Sequence, residues 1–281
     1  MKATIQYIRE ELSGLYPVTE IRAFIRLILE HFYNMDYHEI IVKYDTKHDK
    51  NNKEIIHKIV RRLKNFEPIQ YILGETQFID LKLKIEPPVF IPRPETEELV
   101  QWITGSCKYK SPSIMDIGTG SGCIALALRK QIEMSRVSAV DIMQDVINLA
   151  RYNAKNNNLN VNFFCADILH REKYEWDHYD IIVSNPPYVM EKEKKDMPLN
   201  VLRFEPHEAL FVPDDDPLVF YRAIAEFASH FLCEGGWLYF EINEQLGNEI
   251  MLLLKHGGFN NVEIKRDIND KERMIRCNKS K

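Results

Sequence analysis

The stretch Asp-Ile-Gly-Thr-Gly-Ser-Gly, residues 116–122, is the strongest indication of the architecture of this chain. It overlaps the end of an apolar run at 113–118 that predicts a buried strand, and a helical pattern begins directly after it. Glycines at such a turn let the backbone bend sharply and approach a ligand closely. The N–H groups that open the following helix add a partly positive end. The stretch therefore predicts a strand–turn–helix unit with a ligand site at its turn.

Strand and helix patterns alternate on both sides of this turn. Further strands are predicted at 137–142, 161–166, 179–184 and 236–242, and helices at 94–106, 143–157, 217–232 and 245–256. Such alternation is typical of βαβ units that build a mostly parallel sheet. The last two strand patterns, 262–264 and 273–275, are joined by a short polar link and predict an antiparallel pair at one edge. We therefore expect an α/β fold of the Rossmann-like kind.

The first 75 residues follow a different pattern. Apolar residues recur with a 3.6-residue period over 21–32 and again over 55–63, which predicts two amphipathic helices. Pro68 and Gly74 bracket a further short helix. The polar segment Lys43–Lys53 predicts a loop. Short amphipathic helices in a row favour a small helical bundle.

Residues 76–92 separate the two patterns. Their apolar residues recur with a period near two, and Pro87-Pro88 interrupts them. The pattern predicts a β-hairpin or an extended linker, and an ordinary connecting loop is the alternative. The predicted organisation is a helical domain at 1–75, this connection at 76–92, and an α/β domain at 93–281.

Composition excludes several classes of protein. The 281 residues are 45% hydrophobic and 28% charged, as in ordinary globular proteins, and the formal net charge of −5 disfavours a generally basic nucleic-acid binder. The five cysteines include no CxxC pair, which disfavours a zinc ribbon and a disulfide scaffold and favours a reducing compartment. The amino terminus lacks the apolar core of a signal peptide, and the longest apolar run, Cys123–Leu128, is too short to span a membrane. We expect a cytoplasmic protein.

Acidic residues lie at the ends of the second and third strands of the α/β part. Asp141 lies where a carboxylate can accept both hydroxyls of a ribose, and Asp167 lies where one can accept from the amine of an adenine. Each aspartate also has the simpler interpretation of a helix cap. The glycine spacing GxGxG differs from the dinucleotide fingerprint GxGxxG, and no P-loop lysine follows. A ribose and an adenine without phosphate favour S-adenosylmethionine over NAD.

The fourth strand leads into Asn185-Pro-Pro-Tyr188. Ligands of open α/β sheets bind beyond the carboxyl ends of the strands, so this turn faces the same crevice as the glycine turn. Its prolines lack N–H groups, so the turn presents carbonyl acceptors, to which Asn185 adds its side-chain oxygen. Tyr188 adds an aromatic face. Such a turn can hold a planar NH₂ group in line with a sulfonium methyl, although a rigid solvent-exposed turn is the other interpretation.

Because it has both the glycine turn at 116–122 and the Asn-Pro-Pro-Tyr turn at 185–188, the chain resembles the amino-methylating class I methyltransferases. Phe90-Ile-Pro-Arg-Pro-Glu-Thr-Glu97, Pro68-Ile-Gln-Tyr-Ile-Leu-Gly74 and Phe204-Glu-Pro-His-Glu-Ala-Leu210 narrow the resemblance to the peptide chain release factor N5-glutamine methyltransferase family (PrmC/HemK). The resemblance implies methyl transfer from S-adenosylmethionine to the side-chain nitrogen of the glutamine in the Gly-Gly-Gln motif of class 1 release factors. It also implies that the N-terminal helical domain helps to hold the release factor.

The resemblance further implies a set of site residues and no metal. Those expected to bind the cofactor are Phe90, Gly118, Thr119, Gly120, Ser121, Gly122, Asp141, Asp167, Ile168 and Asn185. Those expected to bind the glutamine and act in catalysis are Asn185, Pro186, Pro187 and Tyr188. Within the first set, the glycine turn is expected at the methionine part, Asp141 at the ribose, and Asp167 with Ile168 at the adenine. Arg93 is expected near the wall of the site. Residues 212–217 depart from the family's glycine-containing turn, so the sequence does not predict their conformation.

Two alternatives remain open at this point. Adenine N6 presents a similar NH₂ group, so a nucleic-acid N6-adenine methyltransferase is the second hypothesis, although it needs a basic channel and a target-recognition domain. A non-enzymatic cofactor-binding scaffold is the third. The basic cluster Lys58, Arg61, Arg62 and Lys64 is more simply a solvated helix face than a contact for RNA or an acidic partner. We expect release factors as partners, no membrane association and no direct DNA binding.

Overall fold

Helices form the first part of the chain. The computed structural model describes residues 2–33 and 53–280, and its first helices are α1 (Lys2–Leu12), α2 (Val18–Tyr33), α3 (Lys53–Lys64) and α4 (Ile69–Leu73). Their apolar faces share one core, in which Ile8, Leu12, Ile28 and Leu63 are fully buried. Gly74 ends α4 in the left-handed conformation, as the sequence predicts. Of the loop predicted at Lys43–Lys53, only Lys53 lies within the described residues, where it begins α3.

The remaining elements alternate as the sequence predicts. They are β1 (Glu75–Phe78), β2 (Leu81–Lys84), α5 (Pro94–Ser106), β3 (Ser113–Ile117), α6 (Cys123–Gln131), β4 (Arg136–Asp141), α7 (Gln144–Asn156), β5 (Asn162–Cys165), β6 (Tyr179–Ser184), β7 (Val189–Met190), α8 (Leu199–Phe204), β8 (Phe211–Val212), α9 (Val219–Phe231), β9 (Leu232–Glu241), α10 (Gly247–His256), β10 (Asn260–Arg266) and β11 (Glu272–Asn278). Strands β1 and β2 pair as an antiparallel hairpin. Among the described residues, no helix is both long enough and apolar enough to cross a bilayer.

Seven strands form the main sheet, in the order β10-β11-β9-β6-β3-β4-β5. The five strands from β9 to β5 are parallel, and β11 and β10 add an antiparallel edge. The predicted α/β class, with a mostly parallel sheet and an antiparallel edge, is therefore confirmed. The chain runs from β3 outward through β4 to β5 and then returns to the other side of β3 as β6. This change of direction places a crevice at the carboxyl ends of β3 and β6, where ligands of such sheets bind.

The chain divides into two compact units. One contains the residues up to Gly74 together with Pro198–Phe204, and the other contains Glu75–Met197 and the residues from Glu205 onward. The hairpin β1–β2 therefore belongs to the same unit as the main sheet. The grouping of Pro198–Phe204 with the N-terminal helices has no counterpart in the local sequence pattern, because a contact between distant segments leaves no periodic signal.

The short elements β7, α8 and β8 were not predicted from the sequence, and the start of β9 differs from its prediction. Strand β9 begins at Leu232 instead of 236, and its register with β6 shifts between Tyr179 and Ile181, next to Gly235, whose φ is 74°. The segment 212–217 leaves β8 through a turn in which Asp216 N donates to Pro213 O. Asp216 then pairs with Arg222 at the start of α9, and this hydrogen bond lowers the pKa of the Asp216 carboxyl.

Candidate active site

The glycine turn and the Asn-Pro-Pro-Tyr turn lie side by side. Ile117 and Ser184, the last residues of β3 and β6, are register partners, and the Ser184 hydroxyl donates to the Ile117 carbonyl at 2.7 Å. Both turns line one cavity of about 720 Å³. The sequence-predicted site residues that line it are Phe90, Gly118, Thr119, Gly120, Ser121, Asp141, Asp167, Ile168, Asn185, Pro186, Pro187 and Tyr188. Gly122 and Arg93 are not among its lining residues.

The glycine turn leaves open space on the cavity side. Gly118 and Gly120 have positive φ angles of 72° and 54°, which favour glycine. The amides of Gly118 and Thr119 both donate to the Val140 carbonyl at 2.9 Å, which fixes the turn against the end of β4. A Cβ atom built on Gly118 or Gly120 would meet no atom within 4 Å. The turn therefore forms a cradle whose free space belongs to the cavity.

Gly122 has a structural position instead. Its φ is 84°, and a Cβ atom there would lie 3.3 Å from Ala150 Cβ, 3.4 Å from Leu126 Cδ1 and 3.5 Å from Phe163 Cζ. The absence of a side chain lets α6 pack closely on α7 and β5. The contribution of Gly122 to the site is therefore the placement of the helix that follows the turn.

The substitution G122A is expected to lower the free energy of unfolding by about 1–3 kcal/mol, because alanine is strained at positive φ and its methyl group meets tight neighbours. Urea denaturation followed by circular dichroism measures the change. Gly105 in α5 offers a matched control, since a Cβ atom there meets nothing within 4 Å. G105A should leave stability unchanged or raise it by less than about 1 kcal/mol. Equal stabilities for the two variants would contradict this assignment.

Asp141 joins the second strand end to the glycine turn. Its Oδ2 accepts from the Gly120 amide at 3.0 Å, and its Oδ1 accepts from the Met143 amide at 3.2 Å. Burial raises the pKa of this carboxyl, and the backbone donors oppose the shift. Each oxygen keeps a lone pair for a further donor. The carboxylate is thus held rigidly where it lines the cavity.

Asp167 combines the two interpretations that the sequence offers. It lines the cavity, and it also caps the short 3₁₀ helix Ile168–Lys173 by accepting from the Leu169 amide at 2.9 Å. Its other oxygen lies 2.7 Å from His170 Nδ1. Ile168 is buried and lines the same end of the cavity.

Beneath the glycine turn lies a buried carboxyl that is not among the predicted site residues. Asp116 is fully buried, and its Oδ2 accepts from Thr119 Oγ1 at 2.6 Å and from the Ala125 amide at 3.2 Å. Its Oδ1 has no hydrogen-bond partner within the described residues. Burial raises the pKa of Asp116 to about 7. The sequence does contain a signal for this carboxyl, since Asp116 is the first residue of the glycine-rich stretch 116–122.

The raised pKa of Asp116 predicts a pH-dependent stability. The folded state binds the Asp116 proton up to about pH 7, whereas the unfolded chain loses it near pH 4, so the free energy of unfolding falls as pH rises between these values. The full contribution is at most about 4 kcal/mol. In urea denaturation of the cofactor-free protein, wild type should therefore lose stability relative to D116N between pH 5 and pH 8. A difference that stays constant with pH would contradict the assignment.

The Asn-Pro-Pro-Tyr turn is fixed by hydrogen bonds at its Tyr188 end. The amides of Tyr188 and Val189 donate to the Leu210 carbonyl, and the Tyr188 carbonyl accepts from Asn243 Nδ2 at 3.1 Å. By contrast, the Pro186 carbonyl receives no hydrogen bond from the described residues. The turn therefore offers an unused acceptor beside the Asn185 side chain.

Sequence reasoning missed two residues that contact this turn. Asn185 Nδ2 donates to Thr96 Oγ1 at 3.3 Å, Thr96 Oγ1 donates to Glu241 Oε2 at 2.6 Å, and the Tyr188 hydroxyl donates to Glu241 Oε1 at 3.0 Å. Thr96 and Glu241 are each 1% exposed. Burial raises the pKa of the Glu241 carboxyl, and burial together with Glu241 raises that of Tyr188. A lone carboxylate at the end of the apolar strand β9 was the available signal.

Phe90 and Arg93 lie next to each other at the wall of the cavity, but only Phe90 is among its lining residues. Phe90 lines the cavity, and the Arg93 guanidinium carbon lies 4.8 Å from the centre of its ring. Arg93 also pairs with the buried carboxylate of Glu205, which accepts from the Ile91 amide. Arg93 therefore packs against the ring of Phe90 and does not itself line the cavity.

Comparison with known proteins agrees with this architecture. Residues 3–74 match the family model "PrmC N-terminal domain", and residues 95–204 match "Methyltransferase small domain". A methyltransferase structure from Pyrococcus furiosus superposes with a TM-score of 0.56 over 83% of this chain and 100% of that chain, at 17% identity, which supports the fold alone.

Two curated relatives extend over nearly the full length. The release factor glutamine methyltransferase of Flavobacterium psychrophilum is 42% identical over 96% of this chain and 95% of its own length. That of Bacteroides thetaiotaomicron is 39% identical over 99% of this chain and 100% of its own length. With two matching family models and relatives this similar over the whole chain, the protein belongs to the release factor glutamine methyltransferase family.

Proposed function

We propose that this protein transfers a methyl group from S-adenosylmethionine to the side-chain amide nitrogen (N5) of the glutamine in the Gly-Gly-Gln motif of class 1 peptide chain release factors. The observation that carries the proposal is one cavity lined by both the glycine turn and the Asn-Pro-Pro-Tyr turn. The names of the full-length relatives support the same substrate.

The residues around the glycine turn fit the cofactor. The open faces of Gly118 and Gly120 leave space for its methionine part next to Thr119 and Ser121. The carboxylate of Asp141 has free lone pairs for two ribose hydroxyls. The adenine of the cofactor is proposed to contact Asp167, Ile168 and Phe90, which also line the cavity. When bound, S-adenosylmethionine supplies a methyl group on a positively charged sulfur.

The Asn-Pro-Pro-Tyr turn is proposed to hold the glutamine. Asn185 Oδ1 and the Pro186 carbonyl accept the two hydrogens of the substrate NH₂ group, and the Tyr188 ring packs on the planar amide. The carboxamide nitrogen is a poor nucleophile, because its lone pair is delocalised, so orientation toward the methyl carbon is the main contribution of these residues. As the nitrogen–carbon bond forms, positive charge develops on nitrogen, and the two acceptors stabilise it. The sulfur–methyl bond would break as the nitrogen–carbon bond forms, which would leave a neutral thioether. The methylated nitrogen would then lose its proton to water, because its N–H has become acidic.

The N-terminal helical unit is proposed to help hold the release factor. Its helix α3 carries the basic cluster Lys58, Arg61, Arg62 and Lys64. Within this cluster Arg62 pairs with Glu67 and Lys64 with Glu11, which favours a structural and solvated face over a dedicated nucleic-acid contact. Because the proposed substrate acts in translation, we propose a cytoplasmic location for the protein, which the sequence also predicts.

The test is transfer of a labelled methyl group to three acceptors: a release factor, the same factor with the motif glutamine replaced by alanine, and double-stranded DNA. The expected result is label in the wild-type factor alone. Label in DNA alone would overturn the proposal in favour of an adenine methyltransferase. Equal label in both release factors would place the methyl group on another residue, and no label in any acceptor would favour a cofactor-binding scaffold.

A further inference from the structure

A buried chain of hydrogen bonds runs from Glu241 to the side chain of Asn185. Glu241 ends β9, and its main-chain carbonyl accepts from the Tyr221 hydroxyl at 3.1 Å, so the residue is fixed by its backbone as well as by its side chain. Thr96 in α5 connects Glu241 to Asn185. Thr96 and Asn185 line the cavity, whereas Glu241 does not.

The direction of these hydrogen bonds follows from the groups involved. The Thr96 hydroxyl has one proton, and the short contact to Glu241 Oε2 uses it. Thr96 Oγ1 can then only accept from Asn185, so the NH₂ end of the Asn185 amide must face Thr96. The oxygen and the NH₂ group of an amide have nearly the same shape and differ mainly in that one accepts and the other donates. The contact with Thr96 therefore determines the orientation of the Asn185 amide.

This choice matters for the proposed reaction. With its NH₂ end on Thr96, Asn185 keeps Oδ1 as an acceptor that receives no hydrogen bond from the described residues. In the opposite orientation the Asn185 NH₂ group would meet the substrate NH₂ group, and two donors would face each other. The second oxygen of Glu241 accepts from the Tyr188 hydroxyl, so one carboxylate contacts Tyr188 directly and Asn185 through Thr96.

We propose that Thr96 and Glu241 are positioning residues for methyl transfer: the Glu241 carboxylate, acting through the Thr96 hydroxyl, fixes the Asn185 amide with Oδ1 as its free acceptor. This inference rests on the proposed function of the site. It predicts that the hydroxyl of residue 96 matters for turnover although it does not bind the substrate.

The variant T96V keeps the shape of the side chain and removes the hydroxyl. It is expected to lower kcat by about 10–100-fold, while KM for the release factor and Kd for S-adenosylhomocysteine change less than about threefold. T96S restores the hydroxyl and should recover kcat to within about threefold of wild type. T104V, the same substitution on α5 at an outlying hydroxyl that donates to the Gln101 carbonyl, is the matched control and should equal wild type.

Two further measurements separate positioning from general damage. Adding T96V to N185A should cause no additional loss of kcat, because Thr96 acts through Asn185. E241Q should lower kcat at least as far as T96V, since it disturbs both the Thr96 and the Tyr188 contacts. In protein labelled with ¹⁵N-asparagine, hydrogen exchange of the Asn185 side-chain amide, identified by its absence in N185A, should be about fivefold faster in T96V than in wild type.

The outcomes are distinct. Wild-type protein that does not methylate the release factor would overturn the proposed function and this role with it. If wild type is active, T96V with the kcat of T104V, or a further loss when T96V is added to N185A, would overturn the positioning role alone. Unchanged exchange of the Asn185 amide in T96V would overturn it independently of activity.

Discussion

Replacing Asn185 by alanine is expected to lower kcat for methylation of the release factor by about 100–1000-fold. The side-chain oxygen of Asn185 is one of two acceptors proposed to orient the substrate NH₂ group and to stabilise the positive charge that develops on its nitrogen. Because the substitution removes an interaction that strengthens in the transition state, kcat falls more than KM rises. Initial rates of methyl transfer with saturating cofactor measure the effect.

The control for N185A is N148A, a change on the exposed face of α7, where the Asn148 side chain accepts a hydrogen bond from Gln144. N148A should retain wild-type rates. Binding of S-adenosylhomocysteine should weaken less than about threefold in N185A, since the amide is proposed to act mainly on the glutamine. A kcat within a factor of about three of wild type would remove Asn185 from the catalytic step.

The second large effect is expected for cofactor binding in D141N. Asp141 is fixed by the amides of Gly120 and Met143, and its remaining lone pairs are proposed to accept both ribose hydroxyls. An amide of the same shape loses the charge and one acceptor, which corresponds to about 2–3 kcal/mol and to a Kd about 30–160-fold higher. Isothermal titration calorimetry with S-adenosylhomocysteine measures the change.

D145N is the matched control for D141N. Asp145 lies in the first turn of α7, is exposed, and does not line the cavity. Both variants lose one negative charge, but only D141N loses it at the residue proposed to bind the ribose. A Kd for D141N equal to that for D145N would contradict the placement of the ribose.

The fold could be predicted from sequence because local pattern and global architecture agree. Period-two and apolar strand segments alternate with helical segments from residue 94 onward, and the glycine turn marks where the first strand ends. Parallel neighbours bring their carboxyl ends to one edge, so the two turns were expected to share a crevice. The register of Ile117 with Ser184 and the common cavity agree with this expectation.

The supporting residues could not be predicted in the same way. Thr96 and Glu241 are 145 positions apart, and neither a period nor a spacing in the sequence connects them. Their contact follows from how α5 packs near the end of β9, which is a tertiary property. The assignment of Gly122 to cofactor contact shows a related limit, because a glycine required by helix packing and one required by a ligand look the same in sequence.

The proposed reaction requires one cavity that brings a carboxamide and a methyl donor together. A crystal structure of the protein with S-adenosylhomocysteine and a release factor would reveal whether it exists. We expect the sulfur beside residues 118–121, and the glutamine side-chain nitrogen within about 3.2 Å of Asn185 Oδ1, in the same cavity. A glutamine bound outside this cavity, or separated from the sulfur by protein atoms, would contradict it.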